Sequence, residues 1–494
     1  MTAMTYDLLV VGGGINGTAI AREAALNGLS VLLVEKGDLA GATSSASTKL
    51  IHGGLRYLEY YDFRLVAEAL RERELLVKAA PHIIRPMRFV LPHEHAVRPW
   101  WMVRAGLLLY DRLGGRSTLA RSRGLHKRDA AYRAPLKGGG KGFVYSDAFV
   151  DDSRLTVLNA VDAADNGAEI AVGTALETAR REGDVWRVVL SDGRTVAAKA
   201  LVNAAGPWVA QLLGRLGVNA AAGVRLVKGS HIVVPRLYEG DHAYILQQPD
   251  RRIVFAIPYQ GRTEIGTTDV PVERPEDAVI DADEIAYLCG AANRHFRVQI
   301  AAEDVLSTWS GVRPLYDDGA DEARAVTRDY VLELDTRGPP LLSVFGGKIT
   351  TARHLAEEAL AKLAQPMART IRPATRTRVF PGGAIADVPS LVREAVARWP
   401  FLGEARALRM AHAYGGLLGD MLVDVAAPGD MGEAFGAGLT EIEARWMHDR
   451  EWARSPADAL ERRSKLGLHM TADERAGFAR WWAEAFPDPV AQML

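Results

Sequence analysis

The feature that most narrows what this chain can fold into is its opening, Tyr6 to Glu35. Tyr6 to Val11 is an apolar run, suited to a parallel strand buried on both faces. GGGING follows and supplies G-x-G-x-x-G as Gly12, Gly14 and Gly17. Thr18 to Leu26 is alanine-rich and helical, Asn27-Gly28 is a helix stop, and Val31 to Val34 is a second strand ending at Glu35. In this order each glycine has a task. The first permits the tight turn, the second lets backbone approach a pyrophosphate, and the third lets helix and strand pack closely. The helix N-terminus then faces the phosphate charge. Glu35, about 20 residues on, is placed to accept from ribose hydroxyls and would repel a 2′-phosphate, which disfavours NADP. The glycines alone are common; strand, glycines, helix, strand and acid together specify a dinucleotide cradle.

The cradle does not separate FAD from NAD. Two later features favour FAD. Gly41 to Leu58, GATSSASTKLIHGGLRYL, is dense in small hydroxyl residues directly after the acid, where a long cofactor's phosphates and flavin would pass. Phe345-Gly346-Gly347-Lys348 then opens a second glycine–helix unit within Leu341 to Leu360. A helix N-terminus there would stabilise negative charge on a reduced flavin. Each feature taken singly also reads as an ordinary capped loop.

With 494 residues, a prior of roughly 150 residues per domain leaves room for about three domains. Strand patterns with turns such as Ser191-Asp192-Gly193 fill Ala171 to Val202 and recur from Val224 to Asp269. A Pro-, Thr- and Arg-rich linker, Arg369 to Pro381, precedes helical patterning from Gly383 onward. The formal net charge of -1 supplies no global field for steering nucleic acid, so no nucleic-acid partner is expected. The single cysteine, Cys289, cannot make an internal disulfide, an iron–sulfur cluster or a cysteine-rich zinc site, and the chain reads as intracellular. MTAMTYDLLVVGGG has no basic n-region and reads as a first strand, not a signal peptide. No window reaches the ~18 apolar residues of a transmembrane helix, so membrane contact would be peripheral or monotopic.

The segment from Gly12 to Leu70, with VKGSHIVVP (Val227 to Pro235), GTTDV (Gly266 to Val270), SGVRPLYDD (Ser310 to Asp318), TRDY (Thr327 to Tyr330), LLSVFGGKITT (Leu341 to Thr351) and FPGGAI (Phe380 to Ile385), closely resembles the bacterial aerobic, FAD-dependent glycerol-3-phosphate dehydrogenase family. The resemblance covers nearly the whole chain. It implies an α/β plus α architecture: a glutathione-reductase-like, Rossmann-type FAD-binding domain interleaved with a β-sheet substrate domain, then a C-terminal helical domain. The implied core is 1–368, its FAD part approximately 1–85, 145–223 and 330–368 and its substrate part approximately 86–144 and 224–329, with a cap over 380–494. Also implied are non-covalent FAD, glycerol 3-phosphate as substrate, a membrane quinone as acceptor, a homodimer, and a monotopic place on an anionic lipid surface at the cytoplasmic face of the inner membrane.

A phosphate of about two negative charges needs several cations, arginine above all for its planar fork. The matching positions are Arg56, Arg313, Arg328 and Lys348, with Tyr57 and Thr268 as hydroxyl donors. Any one arginine also reads as half of a structural ion pair. Oxidising a secondary alcohol requires hydride transfer to the flavin and loss of the hydroxyl proton. His231 in KGSHIVV is the preferred base, with Arg313 and Lys348 as further catalytic candidates; a core histidine is the competing reading. Thr267 and His52 are additional candidates near the cofactor. The expected cofactor contacts are Gly12, Gly14, Asn16, Gly17, Glu35, Lys36, Thr43, Ser44, Ser47, Leu50, Gly206, Gly347 and Lys348. His93 and His95 form an H-x-H without a third ligand beside them, so they read as loop histidines and no metal is expected.

Arg98 to Arg116, RPWWMVRAGLLLYDRLGGR, joins Trp100, Trp101 and several leucines to arginines. It reads equally as a membrane-surface segment or as a buried helix with charged ends. Two rivals to a quinone-linked dehydrogenase stand: an oxidase of the same fold that uses oxygen, and a redox-inert FAD-binding protein.

Overall fold

A computed structural model describes residues 4–94, 96, 98–138, 141–218, 223–317 and 329–487; Arg328 and His95 lie outside the described residues. Two sheets organise the body. In the first, parallel strands run in the spatial order Leu341–Phe345, Thr195–Asn203, Thr5–Val11, Val31–Glu35 and Glu169–Val172, with Val331–Asp335 antiparallel at one edge. Along Thr5–Val11, Leu8 and Val10 pack with Ala19 and Ile20 of the first helix, while Tyr6 and Leu9 face Trp186 and Val188 on the other side. Cover on both faces is why this strand is apolar at successive positions. The helix itself spans Ile15–Leu26, three residues earlier than the alanine-rich stretch implies. Asn16 and Gly17 belong to it because the Ser44 hydroxyl, from a distant loop, accepts the Ile15 N–H at 2.9 Å and caps a helix whose own N-cap, Gly14, has no side chain.

The second sheet runs Val270–Val272, Gly223–Val234, Arg262–Gly266, Ile253–Tyr259, Ala243–Gln247, Ile84–Pro92, Gly142–Val150 and Leu50–Ile51. Ser307–Asp317 also pairs along nearly the whole of Gly223–Val234. Helix Ala282–His295 covers the face that bears Ile232 and Val234. Gly142–Val150 pairs with Ile84–Pro92 throughout its length, so the expected divisions at 85/86 and 144/145 both fall within strands of this sheet. Leu50–Ile51, from the cofactor-side segment, adds the last strand of this sheet.

After the body come helices Val388–Arg398, Gly403–Tyr414, Glu441–Asp449 and Ala472–Ala485, which enclose two apolar clusters of their own. Buried ion pairs tie them to the body: Arg154 with Glu451, Arg463 with Asp38 and Lys465 with Asp151. The linker is not loose. Glu23 accepts the N–H groups of Ala374 and Thr375, Arg378 pairs with Asp162 at 2.8 Å, and Phe380 lies under the Arg22 guanidinium. No helix among the described residues is long and apolar enough to cross a membrane.

Candidate active site

The glycine turn is closed to side chains. Gly12 has φ +115°, and a Cβ on it would lie 2.4 Å from the Ala204 carbonyl oxygen; one on Gly17 would lie 1.9 Å from that of Gly12. Beside the turn, Glu35 accepts the N–H groups of Gly13 at 2.6 Å and Gly37 at 2.7 Å, and burial pushes its carboxyl upward against those two amides. Asn16 reaches across to the late glycine loop: its Nδ2 donates to Gly346 O at 3.1 Å, and Gly347 is so close that a Cβ would stand 2.7 Å from Nδ2. The Asn16 Oδ1 is buried without a partner. Such an orphaned polar atom is costly unless a ligand meets it. An acid at the strand end, a side-chain-free turn and an unmet amide between two glycine loops fit FAD.

The hydroxyl-rich loop bridges the two sheets. Thr43 donates to Val312 O at 2.6 Å, Ala46 lies against Gly311, and Ser44 caps the first helix. Other expected cofactor contacts are engaged elsewhere. Ser47 donates to Asp152 at 2.7 Å, Leu50 is core, and Lys36 sits 3.8 Å over the Trp208 ring, in the turn after Gly206.

The cation cluster is partly assembled. Lys348 Nζ stands 4.0 Å above the Tyr57 ring, which brings the Gly347 loop onto the 3-10 segment Leu55–Tyr60 that carries Arg56. Arg56 is half-buried and makes no ion pair among the described residues. Arg313, on the strand whose next residue, Pro314, touches Gly346, pairs with Asp269 at 2.5 Å and donates to the Thr267 hydroxyl at 3.1 Å. Its charge is therefore largely matched by a carboxylate that sequence reasoning did not place there. Thr268 is corrected: its hydroxyl is buried, donates to Glu284 at 2.6 Å and accepts from the Ser230 N–H. The hydroxyl that faces Arg313 is that of Thr267, not Thr268.

His231 lies on the same face as Gly229, where a Cβ would meet Arg313 and Thr267. It is fully buried, stacked on Trp309 with centroids 5.5 Å apart. Its Nε2 is 3.0 Å from Thr48 Oγ1 and 3.8 Å from Glu264 Oε1, and its Nδ1 has no partner. Burial, with Arg313 and Lys49 beside it, holds this imidazole well below its usual range. The ring is neutral, the form from which a proton acceptor starts, while the same burial makes its charged form expensive. Glu264 has no hydrogen-bond partner on either oxygen, and burial pushes its carboxyl up to about 8. Behind it Lys49 Nζ pairs with Asp152 at 3.1 Å and lies 4.7 Å over Trp309. Thr48, Lys49, Asp152, Glu264 and Trp309 escaped sequence reasoning. The one available signal was Asp151-Asp152-Ser153, a helix-cap signature in which Asp151 accepts the Arg154 N–H. His52 is half-buried, its N–H 3.4 Å from Thr350 Oγ1 and its ring edge-on to Phe255. His93 packs edge-on against Trp100 and Phe143.

Comparison with known proteins is consistent along the whole chain. Residues 7–353 match the family model of FAD-dependent oxidoreductases. The chain is 50% identical to glycerol-3-phosphate dehydrogenase of Pseudomonas aeruginosa, over 98% of this chain and 96% of that one. It is 48% identical to D-erythritol 1-phosphate dehydrogenase of Brucella abortus, over 97% and 98% respectively. The solved glycerol-3-phosphate dehydrogenase of Bacillus halodurans, complexed with FAD, superposes with a TM-score of 0.78 at 27% identity, covering 98% of this chain and 91% of that one.

Proposed function

We propose, from the premise that this chain belongs to the FAD-dependent oxidoreductase family and stands among its glycerol-3-phosphate dehydrogenases, that it oxidises glycerol 3-phosphate to dihydroxyacetone phosphate and passes the electrons to a membrane quinone. The observation that carries this reading is Lys348 above Tyr57, which gathers a cation and the Arg56 segment beside the late glycine loop. FAD, held at Gly12 to Gly17, Glu35 and Asn16, supplies the acceptor for the hydride leaving the alcohol carbon. The chain's own residues do the rest. Arg56, Lys348 and Arg313 hold the phosphate, with Arg328 as a further cation, and Asp269 and Thr267 fix the Arg313 fork. His231, with Nε2 committed to Thr48, takes the hydroxyl proton on Nδ1. The redox-inert alternative falls with membership of an oxidoreductase family.

A second reading has its own support: the erythritol-phosphate relative, at 48% identity, favours a longer polyol phosphate in the same site. Mixing the holoenzyme anaerobically with glycerol 3-phosphate, D-erythritol 1-phosphate and unphosphorylated glycerol, and following the flavin absorbance, separates these. Bleaching by glycerol 3-phosphate is expected; bleaching only by the erythritol ester overturns the substrate, and bleaching by glycerol itself overturns the phosphate site. Peroxide formed in air, unaffected by a quinone analogue, would identify an oxidase.

The membrane part of the proposal rests on the helix Trp100–Leu113. Trp100, Trp101, Met102, Leu108 and Leu109 are exposed on it, and Tyr60, Tyr61 and Phe63 are exposed beside it. Tryptophan and tyrosine at headgroup level, with Arg98, Arg104 and Arg112 for anionic lipid, suit an interfacial helix.

A further inference from the structure

On the inner face of that helix the Tyr110 hydroxyl is fully buried. It accepts the Gly53 N–H at 2.8 Å and donates to Asp147, whose oxygens stand 2.8 and 2.9 Å away. Asp147 is in turn held by Arg73 at 2.6 Å, and Arg73 by Glu74 and the Ser146 carbonyl. Tyr110, Asp147 and Arg73 are all buried. Helix Phe63–Ala79 supplies Arg73, strand Gly142–Val150 supplies Asp147, and a Cβ on Gly53 would collide with Leu70 at 2.7 Å and with the Tyr110 oxygen at 2.8 Å. Gly53 begins the loop that carries the substrate groups. Gly54 takes φ +71° with the Tyr57 ring packed against it, Arg56 follows, and Lys348 stands on that ring. On the outer face of the same helix, Trp101 is 68% exposed, and nearby Tyr61 is 80% exposed.

We propose that Tyr110 is a positioning residue for the substrate cations: its hydroxyl hangs the Gly53–Tyr57 loop from helix Trp100–Leu113, so that seating this helix on an anionic lipid surface orders Arg56 and Lys348 for the phosphate. The inference rests on the reading of Arg56 and Lys348 as phosphate ligands and deepens it. A buried hydroxyl that serves a backbone amide on one side and a charged carboxylate on the other has little freedom. Removing it leaves the Gly53 N–H unmet, and the loop shifts to find another acceptor. Tyr110 acts on the cations only through Gly53.

The test uses full-length, FAD-loaded enzyme with glycerol 3-phosphate and an artificial acceptor, with and without vesicles of phosphatidylglycerol and phosphatidylethanolamine. In Tyr110→Phe the KM is expected to rise roughly three- to tenfold, the worth of about one hydrogen bond, while kcat stays near that of the wild type. Vesicles are expected to lower KM in the wild type and to leave Tyr110→Phe unresponsive. Met410→Ala, a buried change in the C-terminal helices and in a different apolar cluster, should lower Tm without raising KM. An unchanged KM in Tyr110→Phe, with Arg56→Ala raising it, overturns the proposal; no effect of Arg56→Ala overturns the phosphate site beneath it. Vesicles that do not co-sediment with the enzyme remove the lipid surface, and with it the coupling. Hydrogen exchange of peptides across residues 52–57 gives a check that needs no variant: slower exchange on vesicles supports the coupling, and bound vesicles with unchanged exchange refute it.

Discussion

Arg313 and Glu264 show what single side chains decide here. Arg313 is bound to Asp269 and Thr267, so Arg313→Ala removes a proposed phosphate ligand and strands a carboxylate in its place. A loss of about 2–5 kcal/mol in substrate affinity is expected, read as a large rise in KM with FAD content unchanged; an unaltered KM would take Arg313 out of the phosphate site. Glu264 acts on stability. Its carboxyl ionises near 4.5 when exposed and only at about 8 in the fold. Between those pH values the unfolded chain has lost a proton that the native chain keeps, so stability falls as pH rises, by about 1.4 kcal/mol per unit. Glu264→Gln should remove that slope: its Tm relative to wild type climbs from pH 5 to pH 8 and levels off above. Neither behaviour was legible from sequence. Arg313 was found by its motif, but its partner lies 44 residues away and depends on which of two adjacent threonines faces the site. Glu264 alternates in a strand that reads as ordinary, and only the burial of its neighbours makes it unusual.

At the level of elements the opening unit was the most legible part, because its requirements are local. Strand, turn, helix and acid follow one another within a single βαβ, and Gly17 answers to Gly12 within it, although Gly12 itself is closed by the distant Ala204. Gly17→Ala would drive a methyl onto the Gly12 carbonyl; the turn must open, and the purified protein is expected to lack the flavin absorbance while keeping most of its helix content. The early start of the first helix and the extension of the second sheet to Val150 were less legible. The first depends on Ser44 arriving from another loop, and the second on a partner strand about sixty residues earlier in sequence, Arg88 facing Ser146. The Arg98–Arg116 segment reads two ways from sequence, and in the structure its helix exposes Trp100 and Trp101 while Leu107 and Tyr110 are buried.

For the whole molecule, the join between body and C-terminal helices is where pH should act. His82 is buried at that join with neither ring nitrogen partnered, and burial, with Arg154 near, lowers it to about 3. The unfolded chain takes up a proton near pH 6.5 that the native chain refuses. Stability is therefore complete above 6.5 and drains as pH falls toward 3, by about 1.4 kcal/mol per unit. His82→Gln is expected to flatten that acid limb in thermal melts between pH 6.5 and 4. The linker carries another consequence. Its residues 374–380 are fastened to Glu23, Asp162 and Arg22, so it serves as wall and not as tether. A protease that nicks the chain just after it should leave two fragments that still co-elute, yellow and active, until denaturant parts them.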